Sequence, residues 1–262
     1  MRALVLSFLV FIGAAAPAVA LQSDCLAMAG AEPKVVPAAY QEAALAADEV
    51  KLTYIGHSSF IIESPGGTRI VTDYAGYSAG ILPDGVTMNR AHSTHYTDAP
   101  DPAIKHVLRG WNPEGGPAAH DVEIGDIRVR NVTTDIRGGM AGRRKDGNSI
   151  FIFEAAGLCI GHLGHLHHLL GAEHVGLIGR LDIVMVPVDG GYTMGQQEML
   201  EVLRTIKARI VIPMHYFGPT TLNRFIANVG QDFALETSTS PERIVSAAAL
   251  PDRPQLLVLP GY

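Results

Sequence analysis

Histidines that follow apolar segments are the residues of this sequence most able to do chemistry. His92 and His95 lie in one loop, and His215 follows the apolar run Ile210–Met214. Imidazole is the commonest protein metal ligand, and the end of a buried strand can hold a ligand rigidly. A second apolar run, Ser149–Ile160, is followed by four histidines within seven residues: His162, His165, His167 and His168. The pattern predicts a metal site assembled from the ends of several strands.

Length and composition bound the class of protein. With 262 residues, 47% of them hydrophobic, the chain can bury one sizeable core in one or two domains. Its 28 glycines and 16 prolines are typical of a loop-rich α/β protein. The formal net charge is -6, so the chain lacks the basic footprint with which proteins bind nucleic acid or anionic lipid. We therefore expect a small-molecule substrate and no nucleic-acid partner.

Residues 1–20 have the three parts of a secretory signal peptide. Arg2 supplies the positive start, Ala3–Ala15 the apolar core and Ala18–Ala20 a small-residue cleavage site. A membrane anchor is the weaker alternative, because Gly13 and Pro17 interrupt an already short apolar run. We expect cleavage at the end of this segment, no stable membrane span afterwards, and a periplasmic or secreted protein.

The remainder of the chain divides at residue 49. Residues 21–48 are rich in alanine and are expected to form a leader packed on the surface, whereas residues 49–262 form one predicted domain. Early strands follow one another, with predicted hairpins at Gly125–Asp126 and Ala155–Gly157. Later strands alternate with helices, which are predicted over residues 165–178, 194–208 and 221–229. This order favours a layered α/β sandwich.

The two cysteines allow two interpretations. Cys25 and Cys159 could form a disulfide in an oxidising compartment, tying the leader to the core. Alternatively, Cys159 is a small buried apolar residue within its strand. The sequence leaves both open.

Six ordered motifs carry a family resemblance over roughly residues 50–218. They are Gly56–Phe60, Asp73, Gly147–Ile150, His162–Gly164, Pro187–Met194 and Val211–Tyr216. In these motifs the chain resembles the metallo-β-lactamase-fold hydrolases, in particular the branch of ascorbate-phosphate lactonases and related metal-dependent hydrolases. The resemblance implies a four-layer αββα sandwich and metal-dependent hydrolysis.

The metal motif departs from the family pattern at three positions. The family's His-x-His-x-Asp-His falls on Arg90–His95, so that Arg90 replaces the first histidine and Thr94 replaces the aspartate. The bridging aspartate of the His-x-Gly-Asp turn is His165. Two divalent ions normally need bridging carboxylates, and a guanidinium that keeps its proton now stands nearby. We therefore expect one metal ion.

The resemblance, corrected for these replacements, implies a ligand set. His95, His165 and His215 would form a three-histidine site with an open fourth position, a known catalytic zinc arrangement. His92 and His162 would be further ligands or a weaker second site. The candidate replacement carboxylates are Asp73 and Asp98. Zn is the favoured ion, and Mn or Fe would also suit the family.

Three more residues are candidates for lining the site. His57 either faces the site or is a satisfied structural histidine. Arg90 could clamp a carboxylate or phosphate of an anionic substrate, because its planar fork matches these anions, or could form a buried ion pair with Asp73 or Asp98. Tyr192 could direct its hydroxyl into the cleft or serve in packing.

Two functions follow from this sequence. The first is an exported hydrolase in which metal-activated water attacks an ester, lactone or related bond. The alternative is a non-catalytic periplasmic metal-binding protein whose hydrolase site has degenerated. Arg90, Thr94 and His165 favour the alternative, whereas an open coordination position beside a pocket would favour the enzyme.

Overall fold

The computed structural model describes residues 25–26, 45–137 and 142–261, in which fourteen strands and three α-helices are found. The strands are β1 Glu49–Gly56, β2 Ser59–Glu63, β3 Arg69–Val71, β4 Gly85–Met88, β5 His106–Arg109, β6 Asp121–Ile124, β7 Ile127–Arg137, β8 Arg143–Ala155, β9 Leu158–His162, β10 Ile183–Pro187, β11 Ile210–Met214, β12 Ala234–Thr237, β13 Glu242–Ser246 and β14 Gln255–Val258. The helices are α1 Ala172–Ile178, α2 Gln196–Ile206 and α3 Pro219–Val229.

The strands form two mixed sheets. The six-stranded sheet has the order β13-β1-β2-β3-β4-β5, and the eight-stranded sheet has the order β12-β14-β11-β10-β9-β8-β7-β6. Strands β9, β10 and β11 are parallel to one another, so their carboxyl ends meet at one edge of the eight-stranded sheet. Strands β3, β4 and β5 are likewise parallel in the other sheet.

Alternation along the strands divides the interior into layers. Phe151 and Phe153 of β8 pack between the two sheets, whereas their neighbours Ile150 and Ile152 face the helices on the other side. This is the two-residue period expected of a strand buried on both faces. Strand β8 thus contributes alternate residues to both layers.

Different structures cover the outer faces of the two sheets. Ile178, Leu200 and Phe225, one from each helix, pack on the eight-stranded sheet. The outer face of the six-stranded sheet is covered by loop residues such as Tyr74 and Trp111. The predicted α/β sandwich is confirmed, and in the described part of the chain its helical layer lies on the eight-stranded sheet.

Both predicted hairpins are confirmed, but one predicted helix is too long. Helix α1 covers only the end of the stretch predicted from residue 165 to 178. The His165 amide donates to the Asn148 side chain at 2.7 Å, and the Leu166 carbonyl accepts from the Met194 amide at 3.0 Å. These backbone groups bond to other loops, so residues 165–171 remain an irregular segment.

The sequence pattern does not predict strands β5 and β12. Each lies at the edge of its sheet and spans four residues. Such short segments gain their strand conformation from pairing with a neighbour rather than from their own pattern.

Cys25 and Cys159 form a disulfide with a Cα–Cα distance of 5.8 Å. Both side chains are buried, and the Cys25 carbonyl accepts from the Arg180 amide at 3.0 Å. The bond ties residues 25–26 to strand β9.

The predicted signal peptide and most of the predicted 21–48 leader lie outside the described residues. Within the described ranges, no helix has the length and apolar composition needed to cross a bilayer.

A carboxylate joins the two sheets at the end opposite the loop histidines of β9 and β11. Asp126, in the β6–β7 turn, accepts hydrogen bonds from the Ser64 hydroxyl, the Gly66 amide and the Thr68 hydroxyl of the β2–β3 turn. Burial alone would raise the pKa of Asp126, but these hydrogen bonds outweigh it and lower the pKa. The folded protein therefore favours the ionised carboxylate.

Replacing Asp126 should weaken the contact between the sheets. We expect Asp126→Asn to lower the free energy of unfolding by about 1–3 kcal/mol at neutral pH, since hydrogen-bond donors lose a charged acceptor. A lowered folded-state pKa stabilises above the unfolded pKa and ceases to do so as pH falls through the folded value. The difference from the wild type should therefore shrink in acid. Urea unfolding at neutral and acidic pH measures it, with Asp48→Asn on the surface as control. An equal stability of both variants would contradict this role.

Candidate metal centre

The loops that follow parallel strands bring the candidate histidines together. His92 and His95 follow β4, His165 follows β9 and His215 follows β11 directly. His57 lies in the tight turn between β1 and β2 and is held there by the His215 amide, which donates to its carbonyl at 2.6 Å. Carboxyl ends of parallel strands are where α/β proteins place their ligands. Topology therefore assembles the cluster from distant parts of the chain.

Ring nitrogens converge at the centre of this cluster. The Nε2 atom of His215 lies 3.0 Å from Nε2 of His95 and 3.3 Å from Nε2 of His92. Two nitrogens bound to one tetrahedral zinc ion at the usual bond length would be about 3.3–3.4 Å apart. His57 also offers a ring nitrogen, and the ligand atoms of these four residues all lie within 4.8 Å of one another. The spacing fits one ion.

Two buried carboxylates fix which nitrogen faces the centre. Asp73 Oδ2 lies 2.6 Å from Nδ1 of His95, and Asp189 Oδ1 lies 3.0 Å from Nδ1 of His215. The Asp73 carboxylate accepts from His95, so Nδ1 of His95 carries the proton and its Nε2 presents the lone pair. The negative charge of Asp189 beside Nδ1 of His215 favours the same tautomer there. Bare lone pairs at 3.0 Å repel each other. A cation between them removes that repulsion, so these residues suit a metal ion.

The protonation of the cluster agrees with metal binding. Burial, followed by the charges of neighbouring histidines, lowers the pKa of His57 to about 3 and that of His92 to about 4. Both rings are thus neutral near pH 7, the form that ligates. For Asp73 and Asp189, burial opposes ionisation, but hydrogen bonds and nearby histidines prevail and lower each pKa. The site therefore combines the neutral rings of His57 and His92 with two negative carboxylates.

Several predicted site residues occupy other places. His162 is fully buried, but its Nε2 bonds the Ser58 carbonyl at 2.7 Å and its Nδ1 accepts from the Gly164 amide at 3.1 Å. Both ring nitrogens are used, so this side chain is not available as a ligand. Asp73, predicted as a replacement ligand, contacts the back of His95, and its other oxygen accepts from Asn89 at 3.0 Å.

The predicted residues at the outer part of the site differ in exposure. Asp98 and Arg90 are exposed, and Arg90 forms no ion pair with any residue that the structure describes. The alternative of a buried Arg90 ion pair with Asp73 or Asp98 is therefore wrong. Tyr192 is 65% exposed, and its ring centroid lies 6.5 Å from that of His92. It lines the rim and does not pack in the interior.

His165 lies at the centre, with two different neighbours. Its Nε2 is 3.1 Å from Nε2 of His92, and its Nδ1 is 2.7 Å from Nε2 of His167. Its side chain is buried. The sequence prediction that His165 lies in the site agrees with this placement, and its role depends on which nitrogen carries the proton.

The sequence analysis assigned no contact with the histidine cluster to three residues that the structure places beside it. Asp189 follows β10 by two residues and accepts from the Gly191 and Tyr192 amides as well as facing His215. A carboxylate just after a buried parallel strand was the available signal. Phe217 is 61% exposed, and its ring centroid lies 5.6 Å from that of His215. Thr94 Oγ1 lies 2.8 Å from His92 Nδ1, so the residue that replaces a ligand orients one instead.

Removing a buried carboxylate should weaken metal binding without touching a ligand. We expect Asp73→Asn to lower the affinity for Zn by about 10–100-fold, because it loses the acceptor that fixes the His95 ring. Competition with a coloured chelator measures the affinity. Asp121→Asn, which removes a carboxylate paired with Arg128 away from the site, should bind Zn as the wild type does. Equal affinities in both variants would exclude Asp73 from the centre.

Comparisons with known proteins identify the family of the chain. The family model described as a β-lactamase superfamily domain matches residues 51–215. A UPF0173 metal-dependent hydrolase of Methanoregula boonei is 28% identical over 206 residues, covering 72% of this chain and 90% of that protein. A UPF0173 metal-dependent hydrolase of Methanocorpusculum labreanum is 30% identical over 185 residues, covering 63% and 83%.

Solved structures share the architecture. A Thermotoga maritima protein of the metallo-β-lactamase superfamily, with a proposed zinc-dependent hydrolase activity, matches with a TM-score of 0.57 and 25% identity, covering 80% of this chain and 98% of that one. The metallo hydrolase Igni18 of Ignicoccus hospitalis matches with a TM-score of 0.54 at 19% identity, covering 82% and 97%, a likeness in fold alone. The narrower resemblance to lactonases stays a prediction. The chain belongs to the β-lactamase superfamily and is a metal-dependent hydrolase with the metallo-β-lactamase fold.

Proposed function

We propose that the protein is an exported hydrolase that binds one zinc ion through His92, His95 and His215 and cleaves an ester, lactone or related bond of a small molecule. The observation that carries this proposal is the convergence of three Nε2 atoms, with His215 3.0 Å and 3.3 Å from the other two. Three imidazoles with an open fourth position form a known catalytic zinc arrangement. Mn or Fe would be held by the same residues.

The surroundings support one ion rather than two. A second ion would need further oxygen or nitrogen ligands, but Asp73 is engaged by His95 and Asn89. Asp189 is engaged by His215 and by the loop that follows β10. His162 has both ring nitrogens bonded to the backbone. No second cluster of metal-ligating groups occurs among the described residues.

An ion bound here would acidify water and polarise a carbonyl group. Side chains around the ion-binding position would contact the substrate. His57 presents a buried Nε2 atom without a hydrogen-bond partner among the described residues, so this atom can bond a substrate or a water. Tyr192 and Phe217, with ring centroids 5.3 Å apart, form an exposed aromatic rim. We propose that the rim contacts the apolar part of the substrate and that exposed Arg90 attracts an anionic group on it.

The alternative of a non-catalytic metal-binding protein rests on His57. Its ring nitrogen lies within 4.8 Å of those of His92, His95 and His215. If His57 ligated as well, four histidines would close the tetrahedron and leave no open position. X-ray absorption at the zinc edge counts histidine ligands and separates the two functions.

Export is supported by two features of the chain. Residues 1–20 have the composition of a signal peptide. The disulfide between Cys25 and Cys159 is a bond that persists in oxidising compartments such as the periplasm.

Loss of the metal should abolish hydrolysis. We expect about one Zn per chain, since three imidazoles suit a single ion, and hydrolysis of aryl esters or lactones that stops on chelation. His215→Ala should lose the ion and at least about a hundredfold in kcat/KM, which corresponds to about 2.7 kcal/mol of lost transition-state stabilisation. Elemental analysis and an ester and lactone screen measure both. His106→Ala, on β5, is the control and should keep ion and rate. Two ions per chain would contradict the single-ion argument.

Export has its own test. The full chain produced in a bacterium with a periplasm should be recovered from that compartment without residues 1–20 and without reactive thiols. The double variant Cys25→Ser with Cys159→Ser should be less stable to unfolding by about 2–5 kcal/mol, because the cross-link is lost. Intact mass and thiol labelling measure processing and pairing. A chain that keeps its first 20 residues or labels at both cysteines would contradict export.

A further inference from the structure

We propose that His165 is a hydrogen-bond donor to the substrate and not a metal ligand, because Arg137 and His167 place its ring proton on Nε2. The proposal rests on the metal site proposed above and assigns the residue that contacts the substrate oxygen. It replaces the sequence prediction in which His165 completes a three-histidine ligand set.

The first link is a guanidinium that can only donate. Arg137 Nε donates to Nδ1 of His167 at 3.0 Å. Its other end is held by the carbonyls of Gly191, Tyr192 and Thr193, at 2.6 Å, 2.8 Å and 2.7 Å. Arginine keeps its protons in proteins and accepts no hydrogen bond. Nδ1 of His167 must therefore be the unprotonated nitrogen.

The second link passes this constraint to His165. A neutral imidazole has one N–H, so the proton of His167 is on Nε2, which lies 2.7 Å from Nδ1 of His165. His167 donates there, and the proton of His165 is left on its own Nε2. Each ring accepts a hydrogen bond at Nδ1, so neither His167 nor His165 is the doubly protonated imidazolium.

The third link lies at the centre itself. Nε2 of His165 is 3.1 Å from Nε2 of His92, which accepts from it when no ion is bound; an ion that takes the His92 lone pair would leave the His165 N–H for the substrate. His92 then carries its proton on Nδ1, facing Thr94 Oγ1 at 2.8 Å. The direction of every bond from Arg137 to Thr94 is thus fixed by one guanidinium.

His165 differs from the three proposed ligands in what lies behind its ring. His92, His95 and His215 are backed by acceptors, namely Thr94, Asp73 and Asp189. His165 is backed by a donor, so its Nε2 has no lone pair for an ion. A fixed N–H in a buried site is suited to the negative charge that develops on a carbonyl oxygen during hydrolysis. The histidine that replaces the family's bridging aspartate thus supplies a different chemistry.

Swapping the group behind His165 tests this assignment. His167→Glu places a carboxylate against Nδ1 of His165 and should reverse its tautomer, so that Nε2 becomes a fourth ligand. We expect Zn to bind about 10–100-fold more tightly, the range over which groups behind ligating histidines act. X-ray absorption of the Zn-loaded protein should count one more histidine ligand than in the wild type. His167→Gln, which can donate to His165 and accept from Arg137, is the matched control and should keep the wild-type ligand number.

Removing the ring gives a second measurement. His165→Ala should bind Zn within about threefold of the wild type, yet lose about 10²–10³ in kcat, as when a donor to a developing oxyanion is removed. Loss of the ion from His165→Ala, or equal ligand numbers in His167→Glu and His167→Gln, would overturn the proposal.

The tautomer can also be read without any metal. Two-bond ¹H–¹⁵N spectra of the metal-free wild type distinguish a protonated from an unprotonated ring nitrogen, and should show the His165 proton on Nε2. A proton on Nδ1 would overturn the proposal. A proton on Nε2 together with no Zn binding would support it while rejecting the proposed zinc hydrolase, so the two failures remain distinct.

Discussion

A neutral imidazole has a single ring proton, and this constraint governs the centre of the molecule. Whatever contacts one nitrogen decides whether the other can bind an ion or donate a hydrogen bond. Carboxylates behind His95 and His215 turn lone pairs inward, while the donor behind His165 turns a proton inward. The rings are chemically identical, and their roles differ because of their neighbours.

The altered metal motif lacks carboxylate ligands, but two other carboxylates lie behind the histidine rings. Asp73 and Asp189 do not reach the centre, but both are buried and both have lowered pKa values. Their two negative charges balance those of one divalent ion through the histidine rings. This arrangement suits a single ion, because neither carboxylate has an oxygen left to bridge a second.

One loop links the rim, the metal ligands and the tautomer of His165. Residues 189–193 place Asp189 behind His215, expose Tyr192 at the mouth and offer their carbonyls to Arg137. Arg137 ends the long strand β7, so the eight-stranded sheet supports the loop from one side. A shift in this loop would therefore alter substrate contacts and the metal environment together.

The local sequence pattern determined much of the fold and which residues are available to the site. Three features follow from the spacing of apolar residues and from turn-forming residues in the sequence. They are the hairpin at Gly125–Asp126, strand β10, and the placement of His92, His95 and His215 after apolar strands. Edge strands β5 and β12 could not be predicted, since pairing with a neighbour forms them.

Only the tertiary structure decided which histidines can ligate. His162 ends a strand as a ligand would, yet it bonds the carbonyl of Ser58, which is 104 positions away in the chain. Asp73 lies 22 residues from the ring it orients, and Arg137 lies 30 residues from His167. A residue's type and spacing give it the capacity to bind a metal. The direction of its lone pair is set by partners that meet it only when the two sheets are folded together.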